Sequence, residues 1–266
     1  MAELSIVQPP ETVFENVEVP AAVSAVAGGR PLRPVWKNAL GGLTYEISGV
    51  DERFFVKFAP TGSGLPLRQE AERLAWASRY TPVPRVVDSG EDPSGFWMLT
   101  EALPGRSAVD AIWRKRPQKA VKAIAYGLRQ LHENVPVAEC PFDWGVEHRL
   151  KLSPRDLSHA DEPHRSIPID VAWARASDPP PIDKLVVCHG DACSPNTLLD
   201  DAGEWSGHVD MAALGAADRW ADLAVASWAL NWNYGTGWEP LFFATYGIEP
   251  DEDRIAYYRL LWDLGP

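Results

Sequence analysis

The segment Val187–Met211 concentrates residues that could do chemistry. Asp191 follows His189 and Gly190, Asn196 stands five residues beyond it, and Asp210 closes a hairpin-like stretch. A short apolar run precedes each carboxylate, which predicts both at strand ends beside one cleft. A carboxylate can accept the proton of an attacking hydroxyl, while an amide oxygen and a second carboxylate make an all-oxygen donor set for a hard divalent cation. Transfer of a phosphoryl group from ATP to an alcohol needs those parts: a hydroxyl held in line, and magnesium to neutralise phosphate charge. On this reading Asp191 is the catalytic base, and Asn196 and Asp210 hold Mg. Alone, the string also describes a turn with a capping Asp and a structural Asn.

Its weight comes from further residues in a consistent order. Lys57 sits in the strand-like run Phe54-Phe55-Val56-Lys57-Phe58, where an inward ammonium group is costly without a partner. Glu70, on the next predicted helix, can be that partner and can aim Lys57 at the α- and β-phosphates. Gly41 and Gly42 fall between the first two strands, where backbone N–H groups can approach phosphate. The G-x-x-x-x-G-K-[ST] pattern of a P-loop is absent. For each residue taken singly a plainer role exists: an edge-strand charge for Lys57, a solvent-facing acid for Glu70, a hairpin turn for the glycines.

The elements that must position these residues change character partway along the chain. Val35–Lys37, Leu43–Ser48, Arg53–Phe58, Val86–Val87 and Phe96–Thr100 read as five short strands, with turns at Gly49–Glu52 and Glu91–Gly95. One main helix, Gln69–Arg79, carries Leu74 and Ala75 inward. After the break at Leu103-Pro104-Gly105, the spacing of Val121, Ile124, Ala125, Leu128 and Leu131 predicts an amphipathic helix. Residues 150–181 are rich in Pro, Asp and Ser, and helix returns from Ala221. Residues 1–20 lack periodicity. An α+β chain in two parts is expected, 1–103 as an N-terminal lobe and 104–266 as a C-terminal lobe.

Composition narrows the partners. The 266 residues hold 25 Lys+Arg against 37 Asp+Glu, a net charge of -12. That excess disfavours nucleic acid or an anionic membrane and is compatible with a cationic small molecule. A stretch of about 18 apolar residues and a secretory leader pattern are both missing. Three cysteines, Cys140, Cys188 and Cys193, with no Cys-x-x-Cys pair, argue against a disulfide framework or structural zinc. A cytoplasmic monomer is the expectation.

Several segments together resemble the aminoglycoside phosphotransferases, most closely the 3′-phosphotransferase branch. They are Trp36–Thr44, Val56-Lys57, Thr100–Gly105, Leu131–Glu133, Cys140–Asp143, His189–Asn196, Leu214–Ala224 and Arg254–Leu261. The resemblance implies a two-lobed protein-kinase-like fold with a small antiparallel sheet in the first lobe and mostly helix in the second. It implies ATP and Mg as cofactors, Asp191 as base, Asn196 and Asp210 as metal ligands, Lys57 on the phosphates with Glu70 behind it, and backbone groups of Thr100 and Ala102 on the adenine edge. His189 would steady the loop, and the cysteines would pack.

The chain departs from that family on the acceptor side. The Gly and Arg that follow the magnesium Asp are replaced by Ala212 and Ala213. A terminal pair of acids has become Trp262-Asp263, and Ser227–Asn233 carries no charge. Asp161, Glu162 and Asp263 remain as candidate contacts for a cationic acceptor, while Trp228, Trp232 and Trp238 are expected to pack. An aminoglycoside 3′-hydroxyl is the expected acceptor. The alternatives are a different small metabolite (amino-alcohol, sugar or aromatic) on the same fold, or a nucleotide-binding pseudokinase.

Overall fold

Strands of period two build the first part of the chain, and apolar helices the second. The computed structural model describes residues 17–38, 40–49 and 52–265. Residues 1–16, Ala39 within the Trp36–Thr44 segment, Val50-Asp51 of the expected turn, and Pro266 lie outside that description. The described residues divide into two compact units at Pro104–Gly105.

In the first unit α1 (Ala21–Ala27) precedes β1 (Leu32–Lys37), β2 (Leu43–Ser48), β3 (Arg53–Pro60), α2 (Leu67–Ala77), β4 (Val86–Asp92) and β5 (Gly95–Glu101). The strands form one antiparallel sheet in the order β1-β2-β3-β5-β4. Tyr45, Ile47, Val56, Phe58 and Leu99 bury one side of it against Val23 and Ala27 of α1. Lys57, between Val56 and Phe58, therefore points to the other side. Leu67, Glu70, Ala71, Leu74 and Ala77 form the buried stripe of α2, at spacings i, i+3, i+4, i+7 and i+10. Ala75, expected inward, is exposed: it lies one residue, about 100° of helix, past Leu74. The short α1, between Pro20 and a left-handed Gly28, was not anticipated.

The second unit contains β6 (Arg106–Ser107), α3 (Ala111–Arg114), α4 (Pro117–Asn134), α5 (Val146–Leu152), α6 (Ile169–Ala176), β7 (Leu185–Cys188), β8 (Thr197–Leu199), β9 (Trp205–His208), β10 (Gly215–Asp218), α7 (Trp220–Tyr234), α8 (Glu239–Tyr246) and α9 (Glu252–Asp263). Val121, Ile124, Ala125, Leu128 and Leu131 are all buried on α4, as their spacing requires. α7 is apolar around most of its circumference because it is buried that way, from Trp220 to Leu230. The Pro-rich stretch 150–181, unreadable from composition, holds the end of α5 and all of α6. Two small antiparallel ladders matter most here. β7 pairs with β10, and β8 pairs with both β6 and β9. Among the described residues, no helix is long and apolar enough to cross a membrane.

Candidate active site

The two ladders set Asp191, Asn196 and Asp210. Asp191 follows β7, Asn196 leads into β8, and Asp210 follows β9, so three turns present them. Asn196 donates its Nδ2–H to the Asp191 carbonyl at 2.9 Å, and Val209 N donates to the Asn196 carbonyl at 3.0 Å. His189 donates from Nε2 to the Val209 carbonyl at 2.9 Å and accepts the Asp191 N–H at Nδ1, 3.2 Å away. One imidazole in one tautomer thus ties the Asp191 loop to the Asp210 loop.

Behind the loop lies a buried carboxylate. Asp222, on the first turn of α7, is 0% exposed; Oδ2 accepts the His189 N–H at 2.6 Å, and Oδ1 the Gly190 N–H at 2.9 Å. His132 of α4 adds an Nε2···Oδ2 contact of 3.0 Å and meets Tyr246 Oη at 2.8 Å through Nδ1. Burial pushes the Asp222 carboxyl up, but the His132 hydrogen bond and charge, His189 and the Gly190 N–H outweigh it, leaving the carboxyl below its ordinary range. Gly190 is required here twice: its φ is +83°, and a Cβ would stand 2.1 Å from the Ala213 carbonyl oxygen. Cys188 also borders His132 and Asp222. Burial raises its thiol pKa well above the ordinary value, so it stays protonated and packs.

Asp191 is held but not saturated. Its Oδ1 is buried with no hydrogen-bond partner. Burial pushes its carboxyl up, and the nearby Asp210 charge adds to that; His189, the Cys193 thiol and Asn196 oppose it. Asp210 has φ +59°, a left-handed conformation rare for a side chain other than Gly. This explains the absence of the expected glycine at 212. Among the described non-glycine residues only Arg155 and Asp210 have positive φ, so the turn through Ala212 and Ala213, closed by Leu214 N to Met211 O at 3.1 Å, needs no glycine. The Asn196 amide, whose NH2 is already engaged, and the Asp210 carboxylate offer hard oxygen donors of the kind a magnesium ion takes.

In the first unit, Lys57 Nζ lies 2.7 Å from Glu70 Oε1, and Glu70 is 6% exposed. The pair expected from sequence order therefore forms. The glycine loop differs from expectation. Asn38 Oδ1 accepts the N–H groups of Leu40 at 3.0 Å and Gly42 at 2.7 Å, and its carbonyl accepts that of Gly41 at 3.1 Å. The N–H groups read as phosphate donors are turned onto Asn38. Thr100 is buried in the ladder opposite Phe55, and the Ala102 N–H donates to the Arg53 carbonyl at 2.9 Å. That N–H is thus engaged by the start of β3, an interior strand, rather than presented to a purine.

The acceptor-side residues separate. Asp161 is exposed, 3.8 Å from Arg165, and Glu162 is exposed beside it. Asp263 is no solvated tail: it is 8% exposed and bonded to His164. Trp228 and Trp232 pack with Cys193, Val225, Ala229 and Trp262, as expected of core tryptophans. Trp238 instead donates to the Tyr234 carbonyl at 3.2 Å. Sequence reasoning gave no role to His132, Asp222, Tyr246 or His164. Leu131–Glu133 and Leu214–Ala224 stood out as segments, but nothing in them pairs position 132 with 222.

The family model described as "Phosphotransferase enzyme family" matches residues 34–258. An aminoglycoside 3′-phosphotransferase of Streptomyces fradiae is 35% identical over 244 residues, covering 83% of this chain and 90% of that protein. The crystal structure of an aminoglycoside-3′-phosphotransferase of type VIII superposes with TM-score 0.79 at 33% identity, covering 91% of this chain and 97% of that one. An aminoglycoside phosphotransferase of Streptomyces rimosus, solved with ADP and streptomycin, superposes with TM-score 0.71 at 27% identity over 95% and 97% of the two chains. The expected α+β, kinase-like fold is borne out by these likenesses. With the match spanning most of its length, the chain belongs to the phosphotransferase enzyme family.

Proposed function

We propose that the protein moves the γ-phosphoryl group of ATP to the 3′-hydroxyl of an aminoglycoside antibiotic. Asp191 carries this reading: a carboxylate with one buried, unpartnered oxygen, on a loop fixed by Asn196, His189 and Asp222. In this role Asp191 orients the acceptor hydroxyl and takes its proton as the oxygen attacks the γ-phosphorus. The P–O bond to ADP then breaks, and the acceptor leaves as a phosphate monoester. Asn196 and Asp210 are the residues that would hold magnesium, which when bound neutralises phosphate charge. Lys57, braced by Glu70, would neutralise the α- and β-phosphates.

The first 103 residues take the nucleotide-binding part in this reading, and residues 104–266 the catalytic loop and acceptor site. The relative solved with ADP and streptomycin supports both ligand classes. Asp161 and Glu162 are the acids left to meet the ammonium groups of a cationic acceptor. A monomer working in the cytoplasm is assumed. The test is ADP release with kanamycin or neomycin. Turnover that depends on the aminoglycoside and collapses in Asp191→Ala supports the reading. A folded protein that binds ATP yet releases no ADP with any aminoglycoside refutes it.

A further inference from the structure

Asp263 ends α9 with its side chain 11% exposed, and its Oδ2 lies 2.6 Å from Nδ1 of His164, whose side chain is 12% exposed. The His164 ring stands edge-on to Trp228, centroids 5.9 Å apart. Trp228 and Trp232 pack against Cys193 and Trp262. Cys193 is two residues past Asp191. The Asp191–Cys193 segment therefore abuts the indole cluster, which in turn borders the His164–Asp263 pair. Glu239, the other acid on this wall, is 2.7 Å from Arg259, whose guanidinium lies over Trp228.

Carboxylates beside a phosphoryl-acceptor site are natural partners for ammonium groups. Here both acids next to the indoles are already paired with basic groups of the same chain. The end of α9 is also fixed: Arg149 Nη2 donates to the Leu261 carbonyl at 3.3 Å, and Ser153 Oγ donates to that of Leu264. Oδ2 of Asp263 therefore reaches a ligand only if His164 releases it.

We infer that His164 is a specificity-determining residue: by occupying Asp263 it withholds that carboxylate from an acceptor's ammonium groups, so this wall meets the acceptor through indole faces. The inference rests on the aminoglycoside reading above and deepens it. Cation recognition then falls to Asp161 and Glu162.

The experiment measures kanamycin-dependent ADP release in the full chain, in His164→Phe, which keeps a ring against Trp228 but no N–H, and in His164→Phe combined with Asp263→Asn. The expected result is a kanamycin KM about 3–10-fold lower in His164→Phe, with kcat and the KM for ATP within about twofold, and loss of that gain in the double variant. An unchanged or higher kanamycin KM in folded His164→Phe overturns the inference. Should His164→Phe fail to fold, Asp263→Asn alone decides. A kanamycin KM within about threefold of the unmodified enzyme supports an already occupied carboxylate, and a rise of about tenfold or more overturns it. Absence of any aminoglycoside-dependent turnover in the unmodified enzyme overturns the acceptor reading and this inference together. Normal turnover with the wrong KM response overturns only the inference.

Discussion

The surroundings of Asp191 and those of Asp263 lie in one unit and are built on opposite principles. Around Asp191 nearly every polar group has an assigned partner: Asn196 on its carbonyl, His189 on its N–H, and Asp222 on the N–H groups of His189 and Gly190. The carboxylate oxygen left over is Oδ1 of Asp191; the buried Oγ of Ser194 is unpartnered too. Around Asp263 the wall is mostly indole, and its acids are closed off by His164 and Arg259. Under the proposed function the first region has a fixed task, aligning a hydroxyl with a phosphate, and that task dictates residue types. The second is shaped by whichever molecule it receives, so it can diverge while the fold stays intact.

The largest effect should come from the leftover oxygen. Asp191→Ala is expected to lower kcat by about 10²–10⁴-fold, roughly 3–5.5 kcal/mol of transition-state stabilisation, with little change in either KM. Steady-state kinetics checks it. A loss below tenfold would put Asp191 on the same footing as the wall and erase the contrast.

Asp222→Ala should show that the loop is held from behind. It strands the His189 and Gly190 N–H groups and the His132 imidazole in a fully buried place. Breaking such a buried charged cluster is expected to cost about 3–5 kcal/mol, read as a lower urea midpoint with an unchanged slope. Lys57→Met tests the separate nucleotide-side pair. It leaves the buried Glu70 without its ammonium, and kcat/KM for ATP should fall about 10–100-fold, or roughly 1.4–2.8 kcal/mol, while kanamycin KM stays near its original value. Trp228→Ala probes the wall itself. Trp228 is half-buried, so about 2 kcal/mol of stability should go, less than for a fully buried tryptophan, with a few-fold rise in acceptor KM.

The contrast also explains what could be read without a structure. Leu43–Ser48 is a strand because Tyr45 and Ile47 alternate toward α1, and alternation is visible in any window of six residues. Lys57 and Glu70 are 13 residues apart, and the order strand then helix brings them together. Helix phase was nearly legible, failing at Ala75 by one residue. Pairings across long separations were not legible. His132 meets Asp222 across 90 residues, and His164 meets Asp263 across 99, and no local period encodes either. The glycine loop was ambiguous for another reason. Gly41 and Gly42 suit phosphate and a tight turn equally, and only the position of Asn38 Oδ1 separates the two.

The smallest expected effect concerns stability and has an unusual sign. Burial, aided by Asp210, holds the Asp191 carboxyl above its ordinary value of 3.8. A carboxyl whose pKa is raised on folding favours the folded state while protonated, and that contribution is lost as pH climbs through the raised value. At neutral pH the ionised, partly unpartnered carboxylate therefore weighs against the folded protein. Asp191→Asn keeps the shape and removes the charge, so in metal-free buffer at pH 7–8 its Tm should equal or exceed that of the unmodified protein while turnover is lost. Below about pH 4, where both versions are neutral at this position, the advantage should vanish. A variant less stable at pH 7–8 than the unmodified protein would mean that the charge on Asp191 is stabilising after all. The Asp191 region would then be as internally compensated as the wall around Asp263.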